Sequence, residues 1–116
     1  MKADNYMLEI DVAHPPRKPH HVESTLTDLL SQVRGSRQYR ALKVIHGYGS
    51  HGRGGATRET VRNWAFNHRR HFKAIIEGEN YDMFDDATQD MRSACGQFDD
   101  DDLGASNPGI TILWVK

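Results

Sequence analysis

Lys43-Val44-Ile45-His46-Gly47-Tyr48-Gly49-Ser50-His51-Gly52-Arg53-Gly54-Gly55-Ala56-Thr57-Arg58 is the stretch on which the fold turns. It opens as the end of an apolar strand, Leu42 to Ile45. It then passes through five glycines, two histidines and an arginine, and it closes where a helical pattern begins. Glycine tolerates positive φ and lets a backbone approach a ligand closely. The unpaired N–H groups at a helix start, with the positive end of the helix dipole, favour an anion. The stretch therefore predicts a phosphate-holding turn between a strand and a helix. A flexible turn with incidental histidines is the plainer alternative.

Neither common phosphate loop fits. A Walker loop places Lys and Ser or Thr after its last glycine, whereas Gly55 is followed by Ala56 and Thr57. Gly47-x-Gly49-x-x-Gly52 matches the dinucleotide string, but its third glycine falls in the loop, and Trp64 to His71 offers no acid where one is needed. That match is accidental.

Working outward, Val61, Trp64, Ala65 and His68 share one helical face after the loop, and Arg58 and Arg62 share another, one turn apart. That helix ends around His68 to His71, and Phe72 to Ile76 is a short apolar strand. Before the loop, Val22, Leu26, Leu29, Leu30 and Val33 mark one face of a helix, with Gly35 as a natural C′ residue. His14 to His21 holds three prolines and reads as a loop with surface histidines. Met7 to Ala13 alternates, with Leu8, Ile10 and Val12 on one side and Glu9 and Asp11 on the other, as in a strand with one buried face. Paired carboxylates on such a strand are either a solvated face or a site for a metal or a base.

Ile110 to Val115 is a closing strand. Residues 79–107 are acidic and rich in turn formers towards their end. They predict a long, mobile excursion with a short helix at Asp86 to Cys95. The order β-α-β-α-β-β predicts an α/β two-layer sandwich with a mixed sheet, one domain over residues 1–116.

Charge is unevenly spread. The chain of 116 residues has a net charge of −1. Residues 34–73 hold ten Arg and Lys against one acid, Glu59, while residues 77–102 hold ten acids against one base, Arg92. A basic block around a glycine loop favours a polyanionic partner. The alternative is that the two blocks pair with each other. One cysteine, Cys95, excludes an intramolecular disulfide and a multi-cysteine zinc site. Met1 to Tyr6 lack an apolar signal core and no apolar run reaches membrane-span length, so a soluble cytoplasmic protein is expected, with no membrane partner.

Leu8-Glu9-Ile10-Asp11, then His46-Gly47-Tyr48-Gly49 after a strand, then Arg58-x-x-Val61-x-x-Trp64, and the closing Gly109 to Val115 together resemble the small MutS-related (Smr) domain family. The resemblance covers the chain except residues 79–107. It implies a fold like the C-terminal domain of bacterial translation initiation factor three. It also implies binding to DNA or RNA, in several members with nicking or RNA-cleaving endonuclease activity. The family's first strand reads Leu-Asp-x-His. Here Glu9 stands for the Asp and Asp11 for the His; in the other register Ile10-Asp11 is the pair and His14 falls one residue late.

On this basis Arg53, Arg58 and Arg62 are expected to contact phosphates, with Gly47 and Gly49 in the binding turn. The amides of Gly52, Gly54 and Gly55 are expected to cradle one phosphate. His46 is expected as general acid/base or phosphate donor, because an imidazole titrates near ~6.5. Glu9 and Asp11 are expected to supply a base or to hold a divalent cation, Mg or Mn. The acidic segment is a candidate surface for a protein partner. A non-catalytic nucleic-acid or protein interaction module is the alternative function.

Overall fold

The structure, a computed structural model, describes residues 5–48 and 54–116. In order along the chain it contains β1 (Met7–Asp11), α1 (Pro19–Arg34), β2 (Ala41–Ile45), α2 (Gly54–Asn67), β3 (Phe72–Glu77), α3 (Asp86–Cys95) and β4 (Ile110–Val115), with single 3-10 turns at Arg69–His71 and Gly78–Asn80. The four strands form one sheet in the order β1-β2-β4-β3. β1 runs parallel to β2, with Met7 opposite Ala41 and Asp11 opposite Ile45. β4 lies antiparallel to both β2 and β3. The mixed α/β sheet and the sequence of its four strands are those expected, with α3 standing between the last two strands within residues 79–107.

The alternation of side chains divides the sheet into two apolar faces. On the first, Leu42, Val44, Leu113 and Val115 pack against Val22, Leu26, Leu30 and Val33 of α1 and Val61, Trp64 and Ala65 of α2. On the second, Ala41, Ile110, Ile112 and Trp114 meet Tyr81, Met91 and the half-buried Phe98 and Leu103. β2 and β4 are central and covered on both faces, which is why Ile110 to Val115 reads as an unbroken apolar run. The two-layer unit of sheet and helices is thus joined by a third layer.

That third layer is the acidic stretch 79–107. It was expected to be a mobile excursion; instead it folds down onto the sheet, with Tyr81, Thr88 and Met91 fully buried. Its helix has the expected limits and an N-cap, for the Asp85 carboxylate accepts both the Thr88 N–H at 3.0 Å and the Thr88 hydroxyl at 2.7 Å. Ionic contacts seat it. Lys43, whose side chain is only 5% exposed, donates to Asp100 at 2.8 Å and also pairs with Asp102 and Glu9. Burial alone would push the Lys43 ammonium down, but its hydrogen bonds to Asp100 and Asp102 outweigh that and hold its pKa above the ordinary value. Arg92, also buried, donates to the Phe98 carbonyl and to Asp99.

Two boundaries differ from expectation for physical reasons. β1 stops at Asp11 rather than Ala13, because the Asp11 carboxylate accepts the Ala13 N–H at 2.8 Å and the His14 N–H at 3.1 Å and turns the chain. Gly35 caps α1 at φ −90°, a right-handed value, and not as a left-handed C′ residue. Among the described residues no helix is long and apolar enough to cross a membrane.

Gly78 marks the tightest point of the third layer. A Cβ there would lie 2.0 Å from the Asn107 carbonyl oxygen and 2.4 Å from Ile110 Cγ1. Backbone cannot yield at that distance without moving the return of the acidic segment. Gly78→Ala is expected to lower stability by about 2 kcal/mol or more, read as the urea midpoint, whereas Gly55→Ala, with nothing within 4 Å of its Cβ, should cost little by comparison. Equal losses at the two positions would contradict this packing.

Candidate nucleic-acid interface

The carboxyl ends of the parallel strands β1 and β2 lie side by side, fixed by the register Asp11 to Ile45 and by the Val12 N–H donating to the Ile45 carbonyl at 2.9 Å. Ligand crevices in open α/β sheets form outside such ends. Here three segments converge: the turn after β1, the glycine loop after β2 and the first turns of α2. A cleft of about 300 Å³ opens between Pro16, Arg17 and Pro19 on one side and Ala56, Thr57 and Thr60 on the other.

His46 launches the glycine loop. It is fully buried, and both ring nitrogens are engaged: Nδ1 with the Gly47 carbonyl at 2.6 Å and Nε2 with Thr111 Oγ1 at 2.8 Å. Arg62 Nε donates to the same Thr111 oxygen at 3.0 Å. These contacts fix the protons. The Gly47 carbonyl can only accept, so Nδ1 carries the hydrogen, and in the neutral ring Nε2 is bare. The Thr111 hydroxyl then donates to Nε2, while its oxygen accepts from Arg62. Burial pushes the imidazole pKa down to about 4; the Gly47 contact pulls it up, and nearby Arg62 and Arg58 push it down further.

Gly47 turns the chain out of the core with φ +72°, a left-handed value that suits glycine. His46 and Gly47 both donate their N–H groups to the Gly109 carbonyl, at 2.9 and 3.0 Å, which ties the loop to the start of β4.

His46 was expected as general acid/base or phosphate donor; the structure buries its ring fully and engages both nitrogens inside the protein. Arg62, expected at a phosphate, is likewise turned inward. Its side chain is 19% exposed, and its guanidinium also bonds Glu77 at 2.5 Å, Glu79 at 2.7 Å and the Ile110 carbonyl at 3.2 Å. The hydrogen bond from Arg62, against the opposing effect of burial, holds the Glu79 carboxyl below its usual range. Glu9 is not at this site either, since it lies on the second face of the sheet beside Lys43. The two charge blocks therefore do pair with each other, through Lys43 and Arg62.

The remaining expected residues stay at the crevice. Gly54 and Gly55 are the first residues of α2, so their N–H groups belong to the unpaired first turn of that helix. Arg58 is half-buried in the next turn and has no carboxylate partner among the described residues. Gly49, Gly52 and Arg53 lie outside the described residues. Asp11 faces the turn after β1, and there the structure adds a residue that had been read as an ordinary surface histidine. His14 Nδ1 lies 3.1 Å from Asp11 Oδ2, with the His14 side chain 77% exposed. Partial burial opposes ionisation of Asp11, but the Ala13 amide and the His14 ring and amide hold its pKa below the ordinary value. The spacing Ile10-Asp11-Val12-Ala13-His14 was the only signal of this pair. The signal for Thr111 was a lone hydroxyl in an apolar strand. Among the described residues no three His, Cys, Asp or Glu side chains are grouped to hold a metal ion.

The mixed sheet, with two helices over one face and a crevice at the carboxyl ends of its parallel pair, defines the domain as α/β. The structure is similar to the crystal structure of the Smr domain of Thermus thermophilus MutS2, with a TM-score of 0.55 and 12% sequence identity over 97% of this chain and 99% of that one. No family model matches the chain, and no curated protein does.

The buried imidazole has a consequence for stability. In the unfolded chain His46 titrates near ~6.5, and in the folded protein near 4. Between those values the unfolded state holds more protons, so stability rises with pH across that window. The full value is present above pH ~6.5 and is lost as the pH falls towards 4, by about 1.4 kcal/mol per unit. Urea midpoints of the wild type should fall more steeply from pH 6.5 to 4.5 than those of His46→Gln, which cannot titrate. Parallel curves would show that His46 is not the buried neutral group described.

Proposed function

We propose that this domain binds nucleic acid at the crevice beyond β1 and β2, and that the Asp11–His14 pair there cleaves phosphodiesters. The observation that carries the reading is that pair, an exposed imidazole oriented by a carboxylate at the carboxyl end of β1, beside the end of β2. The likeness in fold to the Smr domain of MutS2 supports it, and so does the basic block that surrounds the loop.

The binding half rests on charge and backbone. The first-turn amides of Gly54 and Gly55 and the positive end of α2 attract a phosphate, and Arg58 adds a full charge one turn on. Such contacts position a strand without reading its sequence, which suits DNA and RNA alike. The chemical half rests on tautomer control. With Nδ1–H donated to Asp11, the free His14 Nε2 takes the proton of the oxygen that attacks phosphorus and returns one to the leaving oxygen. This assignment follows the register in which Ile10-Asp11 is the family's Leu-Asp pair and His14 its late histidine. His46 then has an architectural part, shaping the loop that receives the phosphate.

Labelled single- and double-stranded DNA and RNA, incubated in EDTA, Mg²⁺ or Mn²⁺ and scored for both shift and cleavage, test both halves. Arg58→Ala should weaken binding and lower the slope of log K against log salt by about one. His14→Ala and Asp11→Asn should lower cleavage by about 100-fold or more while sparing binding. A wild-type protein that binds but cuts no substrate would leave the interaction module as the function. Affinity untouched by Arg58→Ala at low salt would remove the crevice as the binding site.

A further inference from the structure

At the end of the sheet opposite the glycine loop, α1 finishes, β2 begins and β4 leaves. There Arg34, Ser36, Tyr39, Arg40 and Lys116 line a cavity of about 120 Å³ whose apolar floor includes the buried Val115. Three of those side chains are cations. None of the three has a carboxylate partner among the described residues, whereas the cations Lys43 and Arg62 are paired. We propose that this cavity is a second anion site, which takes a phosphate group.

The surrounding charge is uniformly positive. His71, on the 3-10 turn after α2, has its pKa lowered by partial desolvation and by the neighbouring Arg34, Arg70, His68 and Lys116. Arg37 and Lys73 are exposed on the adjoining segments, again without acidic partners among the described residues. The acids of residues 77–102 do not neutralise this end. Their ion pairs go to Lys43, Arg62 and Arg92. A cluster of like charges around a concave surface costs repulsion unless a counter-ion fills it. Guanidinium groups match phosphate oxygens in a forked, charge-assisted geometry. The Ser36 oxygen already accepts the Gln38 and Tyr39 N–H groups, at 3.0 and 2.9 Å, so the hydroxyl is held in place with its own proton left to donate.

The phosphate has two possible sources, the backbone of a nucleic acid or a free phosphate. The geometry sets the first apart. β4 has six residues, so the two ends of the sheet are roughly 20 Å apart at ~3.3 Å per residue. A strand of duplex advances about 3.4 Å per step, so about six steps join the two sites.

Amide chemical shifts of the ¹⁵N-labelled protein, titrated with sodium phosphate against sodium chloride at equal ionic strength, test the site without any nucleic acid. Saturable shifts at Ser36, Tyr39, Arg40, Val115 and Lys116 are expected with phosphate alone, apart from any at Gly54, Gly55 and Arg58 at the far end of the sheet. Arg34→Gln with Arg40→Gln should weaken that binding by about ten-fold or more. Shifts that chloride reproduces, or that never saturate, overturn the proposal, whatever becomes of the glycine-loop reading. The source is read by two duplexes, one of three base pairs and one of twelve. If the double variant loses affinity for the longer duplex only, the site serves the nucleic-acid backbone; if both affinities stay unchanged while phosphate binding is lost, it serves a free phosphate.

Discussion

A single buried polar chain, Arg62 to Thr111 to His46 to Gly47, holds together the part of this protein that matters for function. Each hydrogen bond in it is set by the one before. It begins at a guanidinium, which can only donate, and ends at a carbonyl, which can only accept. It links α2, β4 and the end of β2, three elements that must agree before the glycine loop can leave the core in one direction. A satisfied network of this kind specifies a geometry as well as stabilising it, because any member left unpaired inside the protein costs about 1–3 kcal/mol. Glu77 and Glu79 complete it by neutralising Arg62 where the helix meets the end of β3.

Much of the fold was legible because it rests on local pattern. Ile110 to Val115 and Asp86 to Cys95 have the limits expected of them, since an unbroken apolar run and a capped amphipathic turn declare themselves within ten residues. The apolar stripe from Val22 to Val33 likewise located α1. The third layer was misjudged because its composition is that of a disordered segment. Its folding depends on few apolar anchors, Tyr81, Met91, Phe98 and Leu103, and on Lys43, a cation in a central strand 57 residues before its partner Asp100.

The site was less legible, and for a related reason. Helical spacing places Arg58 and Arg62 on one face of α2, but it is silent on what the rest of the chain brings against that face. Thr111, Glu77 and Glu79 arrive there from β4 and from the end of β3 and take Arg62, while Arg58, one turn nearer the loop, is left without such a partner among the described residues. In the same way the residue type of His46 suggested catalysis, yet burial decided otherwise. His14 was passed over because it sits among prolines, and only the turn made by the Asp11 carboxylate brings its ring onto that carboxylate. The structure thus places the motif histidine in the core and a histidine read as surface against a carboxylate.

The central claim is that His46 is a neutral, structural imidazole that carries its hydrogen on Nδ1. Long-range ¹H–¹⁵N correlation spectra of the histidine rings, recorded between pH 5 and 8, test it directly. The account predicts that the His46 ring keeps the Nδ1–H pattern unchanged across this range. A His46 ring that protonates near pH 6.5, or that carries its hydrogen on Nε2, would contradict the chain of donors and acceptors and return His46 to the list of candidate catalysts.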